Sequence, residues 1–224
     1  MRNTATLSQA ILLLGKEKVI TKEIAEKNWD KKSESNDSDT RIIISFLESC
    51  AEANKLGLAN WYLIYGLGLP LLEQLENRFE KEFCFSEKHQ RREIMLRGSE
   101  QIWSQKGYEP GYYLLNFGFG EDRAGRLEGL SLLEQDEVIK LRPSKARAPE
   151  QLVCEAIFDI YDQFNLAIME NWHHIGLMKM SGGLPIYVGH ATRRFGGVHL
   201  FGVPRGHEQC PAYGFGVVLM MKKQ

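Results

Sequence analysis

The sequence predicts an α+β fold: a mainly helical N-terminal half, and a long central helix packed against a C-terminal antiparallel sheet. Three observations carry this. Val153, Ile157, Ile160, Phe164 and Ile168 recur at spacings of four, three, four and four, which is one face of an α-helix. Capping signals repeat through the first hundred residues. After that helix, short β-prone runs alternate with Gly and Pro turns, as in an antiparallel sheet. The predicted organisation is a helical region over 1–106 and an α+β region over 107–224, with the central helix at 149–175 and glycine-rich strands after it.

The first predicted helix runs from Thr6 to Leu14, since Thr6 and Gln9 have capping-box spacing and Gly15 closes the pattern. A second, capped by Thr21, reaches Trp29. The pair faintly echoes the start of a DNA-binding helix-turn-helix. The polar run Asp30 to Asp39 then intervenes where the third helix should begin, so a plain helical unit is the expectation. Thr40 to Lys55 forms an amphipathic helix with Ile43, Phe46, Leu47, Cys50 and Ala51 inward and Asp39 as cap.

The 58–72 segment, which includes WYLIYGLGLP, is the most apolar stretch. It reads as a buried helical turn or two, with an oligomer interface or an apolar ligand wall as its functional alternative. Pro70 opens the next helix, and Ser86 caps another from Glu87 to about Gln105 whose mixed charges suit a solvated face. Tyr112 to Phe119 is the first strand. Ser131 and Glu134 box a single helical turn, and Glu137 to Leu141 reads as a short strand. Strands at 186–188, 197–203 and 213–221 follow the central helix.

Composition narrows function. A formal net charge of -1 over 224 residues gives no global attraction to nucleic acid or anionic membrane. The longest apolar run is too short for a membrane span, and the first residues make a poor signal peptide, so a cytoplasmic protein with no membrane partner is expected. Four cysteines lack close pairing; Cys50 and Cys154 fall on apolar faces and read as small buried hydrophobes. No glycine-rich phosphate-loop or dinucleotide motif occurs, so a nucleotide cofactor has no support in the sequence, and which cofactor, if any, is bound stays unknown at this point.

Three groups of residues could carry chemistry. Arg193 and Arg194, in HATRRFGG, and Arg205, in VPRGHEQC, sit in glycine-bounded turns; Arg142 and Lys145 precede the central helix. Such arginine forks suit phosphate or carboxylate. With His190 and His199 they suggest recognition of a small anionic ligand or nucleic acid, with histidine able to move protons. Second, Glu170 and His173 have the spacing of half a di-iron motif, and His207 and Cys210 that of half a zinc site. Third, Glu155, Asp159 and Asp162 share a face opposite the apolar stripe, where a solvated surface is expected. The leading expectation is therefore a binding or regulatory protein acting through C-terminal Arg/His loops. Two alternatives stand beside it: a hydrolase or nuclease-like enzyme using His190, His199, Glu170 and His173, with or without metal, and an assembly protein, a homo-oligomer through 58–72.

Overall fold

The computed structural model describes residues 3–33, 40–78, 107–118, 132–142, 144–169, 173–179, 185–191, 197–202, 215–216 and 218–221. Helix α1 (Leu7–Leu14) opens with the expected reciprocal box: the Gln9 amide donates to Thr6 Oγ1 and the Thr6 amide to Gln9 Oε1 at 2.8 Å. A 3-10 turn (Lys16–Lys18) leads into strand β1 (Val19–Ile20). Helix α2 (Lys22–Trp29) is capped by the Thr21 hydroxyl and ends at Asp30 in the left-handed region. Helix α3 (Ile44–Lys55) has Ile43 at its N-cap and so starts later than expected. Thr40 does not continue it; its buried hydroxyl donates to the Ala5 carbonyl and ties this segment to the start of the chain.

Strand β2 (Trp61–Gly66) corrects the helical reading of WYLIYG: every residue in it is buried, and it pairs in parallel with β1 and antiparallel with strand β3 (Gly111–Asn116). A strand covered on both faces loses the apolar–polar alternation that would announce it. Asparagines fix its start. Asn54 accepts from the Trp61 amide at 2.7 Å and donates to the Trp61 carbonyl at 2.9 Å, while Asn116 Oδ1 accepts from the amides of Asn60 and Gly118, both at 3.0 Å. Of the 58–72 segment proposed as an interface, Leu58 keeps 57% of its surface in solvent, whereas residues 61–67 lie inside the fold.

Helix α4 (Leu71–Arg78) follows Pro70 as expected. Helix α5 (Leu132–Lys140) replaces both the single turn and the strand predicted at 137–141; Val138 and Ile139 pack against Leu219. Strand β4 (Lys145–Arg147) leads into the central helix α6 (Glu150–Phe164). The apolar stripe holds over most of its length: Val153, Ile157 and Ile160 are fully buried, Phe164 is partly buried at the last helical position, and Ile168 falls beyond the helix. The helix is shorter than 149–175, because Asn165 takes φ 52° and its amide closes on the Tyr161 carbonyl. His173 and His174 consequently do not end it; they begin strand β5 (His173–Lys179).

Strands β6 (Pro185–Ala191), β7 (Gly197–Gly202), β8 (Phe215–Gly216) and β9 (Leu219–Met221) complete the described elements. They fall into two sheets. One has the order β1-β2-β3-β9-β4, the other β7-β6-β5-β8. The single strand expected at 213–221 is thus two strands serving different sheets. In the second sheet β5, β6 and β7 are antiparallel and β8 joins β5 in parallel. Helix α6 packs on β5, β6 and β7, and also meets β2, α2 and α4, so it is the shared floor of the molecule. The predicted helix at 87–105, together with Cys84 and Cys210, lies outside the described residues.

Candidate functional site

The histidines of the second sheet are positioned by strand register. His173 pairs with Gly189, and Gly189 with His199, so the three form one row across β5, β6 and β7. Two interstrand steps separate the histidine backbones by about 10 Å. The middle position of the row is a glycine, which carries no side chain. His190 pairs with Val198 in the adjacent row. Both rows lie at the end of the sheet where β6 stops at Ala191 and β7 starts at Gly197. The five residues between those strands include Arg193 and Arg194.

The opposite face of β5 is defined by His174, which is fully buried. The Val218 amide donates to His174 Nδ1 at 3.0 Å, so Nε2 carries the proton and donates to the Ala148 carbonyl, also at 3.0 Å. The Ala148 amide in turn donates to the Val218 carbonyl at 2.9 Å. A closed ring of three hydrogen bonds therefore joins the two sheets just before α6 begins. Burial, reinforced by the nearby Arg147 charge, pushes the imidazole down to about 3 and keeps it neutral. Strand alternation assigns position 173, and with it the row through Gly189 and His199, to the face away from this joint.

Arg142 and Lys145 sit elsewhere, on the turn from α5 into β4. Lys145 Nζ lies 5.3 Å from the Trp61 ring centroid, and burial followed by the Arg142 charge lowers its pKa. Arg147, by contrast, is committed inside: it donates to Gln135 Oε1 at 3.1 Å and to Asp136 Oδ1 at 2.8 Å, fastening α5 to β4. Glu170, Arg193, Arg194, Arg205, His207 and Cys210 lie outside the described residues. Among the described residues no group of three or more His, Cys, Asp or Glu side chains could hold a metal ion.

The polar constellation that sequence reasoning missed lies on α6. Glu155 and Asp159 are not on a solvated face; both are fully buried. Gly68 takes φ 82°, and the amides on either side of it bind one carboxylate: Leu67 donates to Glu155 Oε2 at 2.8 Å and Leu69 to Oε1 at 2.7 Å. One turn on, Asp159 Oδ1 accepts from Asn28 Nδ2 at 2.9 Å and from Trp29 Nε1 at 3.1 Å. Arg78 covers this end. Its guanidinium lies 4.6 Å from the Trp29 ring and donates to Asp162 Oδ2 at 2.7 Å and to the Asn28 carbonyl at 2.8 Å. Burial pushes Glu155 up to about 8 and Asp159 up to about 7, the first raised further by the second. The signal was present but faint: three carboxylates at helical spacing, with Gly68 and Arg78 distant in sequence.

No family profile, no curated protein sequence and no solved structure matches this chain. Among the described residues, no helix is long and apolar enough to cross a membrane.

Proposed function

We propose that this protein binds a phosphate-bearing partner at the β6–β7 end of the second sheet and acts as a binding or regulatory protein. The observation that supports this reading is the register of His173, Gly189 and His199, with His190 in the next row and Arg193 and Arg194 in the connection between β6 and β7. Imidazole and guanidinium groups both donate to phosphate oxygens, and arginine does so through a planar fork. A glycine between two histidines leaves room for a tetrahedral anion. Helix α6 packs on β5, β6 and β7, so the strands that carry the histidines rest on a packed element.

The source of the phosphate, a small ligand or a nucleic-acid backbone, is separated by one experiment. Inorganic phosphate and a short single-stranded oligonucleotide are titrated calorimetrically against wild type and Arg193→Ala/Arg194→Ala at two salt concentrations. Binding of phosphate alone, weakened at least tenfold in the variant, supports a small-ligand site. Oligonucleotide binding with a steep salt dependence supports a backbone reader. Binding that the double variant leaves unchanged, or no binding of either probe, overturns the reading.

A further inference from the structure

The two carboxylates on α6 are placed as a device rather than as a surface. Each holds a different, sequence-distant segment. Glu155 holds the turn at 67–69 through both of its oxygens, and Asp159 holds the C-terminal end of α2 through Asn28 and Trp29. Four residues apart on one helix, they stack on consecutive turns. Both are removed from water, and Asp159 Oδ2 is buried with no hydrogen-bond partner. Such an oxygen tolerates a proton far better than a full negative charge.

The charged and titratable neighbours are few among the described residues. On α6 itself Cys154 adjoins Glu155, and Asp162 adjoins Asp159. From the segment before β3, the buried Tyr108 hydroxyl faces Glu155, with Tyr113 of β3 behind it. From α4 comes Arg78, already shared with Asp162 and the Asn28 carbonyl. From α2 come only the neutral Asn28 and Trp29 groups. Among the described residues, one cation thus serves Asp159 and Asp162, and the groups nearest Glu155 add no positive charge.

We propose that Glu155 and Asp159 form a pH-responsive latch, which holds α2 and the 67–69 turn against α6 while a proton remains on the pair and slackens when both carboxylates ionise. Burial raises both groups into the neutral range, so the transition falls between about pH 6 and 9. The contact most exposed to it is the Trp29 indole, which reports on Asp159 directly.

The test is a pH titration of the full chain by ¹⁵N NMR, following the indole N–H of Trp29, assigned among the four tryptophans by Trp29→Phe. Wild type should show a titration of that resonance with a midpoint between pH 6 and 9. Over the same range, exchange protection in α2, corrected for intrinsic rates, should fall at least tenfold relative to α1, which touches neither carboxylate. Asp159→Asn keeps an oxygen for Asn28 and Trp29 and replaces the orphaned oxygen by an amide; it should abolish the α2 loss. A Trp29 signal and α2 protection that stay constant from pH 5.5 to 9 in wild type overturn the proposal, whether or not the variant folds. So does an identical loss in wild type and Asp159→Asn.

Discussion

Two of the buried polar contacts around helix α6 are opposite in character. Just before its first turn, His174 closes a ring in which each donor has an acceptor, and no net charge is buried. Along its middle, Glu155 and Asp159 bring carboxylates into the interior with Arg78 as the nearby cation. Both arrangements join segments far apart in sequence, and both cost desolvation. The first offsets that cost by matched hydrogen bonds. The second leaves part of it outstanding, at Asp159 Oδ2. Equal burial therefore gives rigidity in one place and sensitivity in the other.

The two contacts also respond to pH with opposite sign. The His174 imidazole is depressed to about 3 from an ordinary 6.5. The unfolded chain takes up a proton that the fold refuses, so this contribution is complete above about pH 6.5 and is lost as pH falls toward 3. Glu155 and Asp159 are raised from 4.5 and 3.8 to about 8 and about 7. Here the fold keeps protons that the unfolded chain has released, and stability falls as pH rises from about 4 to about 8.

The largest effect is expected from removing the cation. Arg78→Met strips a half-buried charge from Asp162, its bond to the Asn28 carbonyl and its stacking on Trp29 and Phe158. The charge-assisted bond to the part-buried Asn28 carbonyl and the stacking on two rings together are worth about 3 kcal/mol, the exposed pair with Asp162 adding little. The loss should be greater at pH 8.5 than at pH 5.5, because more carboxylate charge is then left uncompensated. Urea unfolding at the two pH values checks this, and an equal loss at both would show that Arg78 serves the packing and not the charge. A smaller effect is expected at the sheet joint. His174→Phe keeps the ring volume but orphans the Ala148 carbonyl and the Val218 amide, at a cost of about 2 kcal/mol at pH 7. The difference between variant and wild type should shrink as pH drops from 6.5 toward 4; a constant difference would mean the imidazole titrates alike in both states.

What the sequence made legible follows the same division. Local signals were readable because their physics is local: the Thr6–Gln9 box, the Thr21 cap, Pro70 before α4, and the Val153–Ile157–Ile160 stripe. The strand Gly111–Asn116 was visible from its β-prone run, whereas WYLIYG was not, because burial on both faces removes the alternation. The end of α6 turned on one left-handed asparagine at 165, ten residues ahead of the expected end at 175. The acid face read as solvated because its burial depends on Gly68, Leu69 and Arg78, some eighty residues upstream. The histidine row became visible only with the pairing register, since spacing along one chain does not say which residues oppose each other across strands.

A neutral contact on the surface supplies the reference against which both slopes are read. Thr6 and Gln9 cap α1 through uncharged, exposed groups, and neither touches α6's buried polar sites. Thr6→Ala removes one acceptor from the Gln9 amide and should cost about 1 kcal/mol. Because neither group titrates between pH 4 and 9, that loss should be the same at every pH in the range. Thermal unfolding of Thr6→Ala from pH 4 to 9 should give a curve parallel to wild type and displaced below it. Were the two curves to diverge, α1 would be coupled to the ionisation of α6. The latch would then extend beyond α2 and the 67–69 turn into the helical layer as a whole.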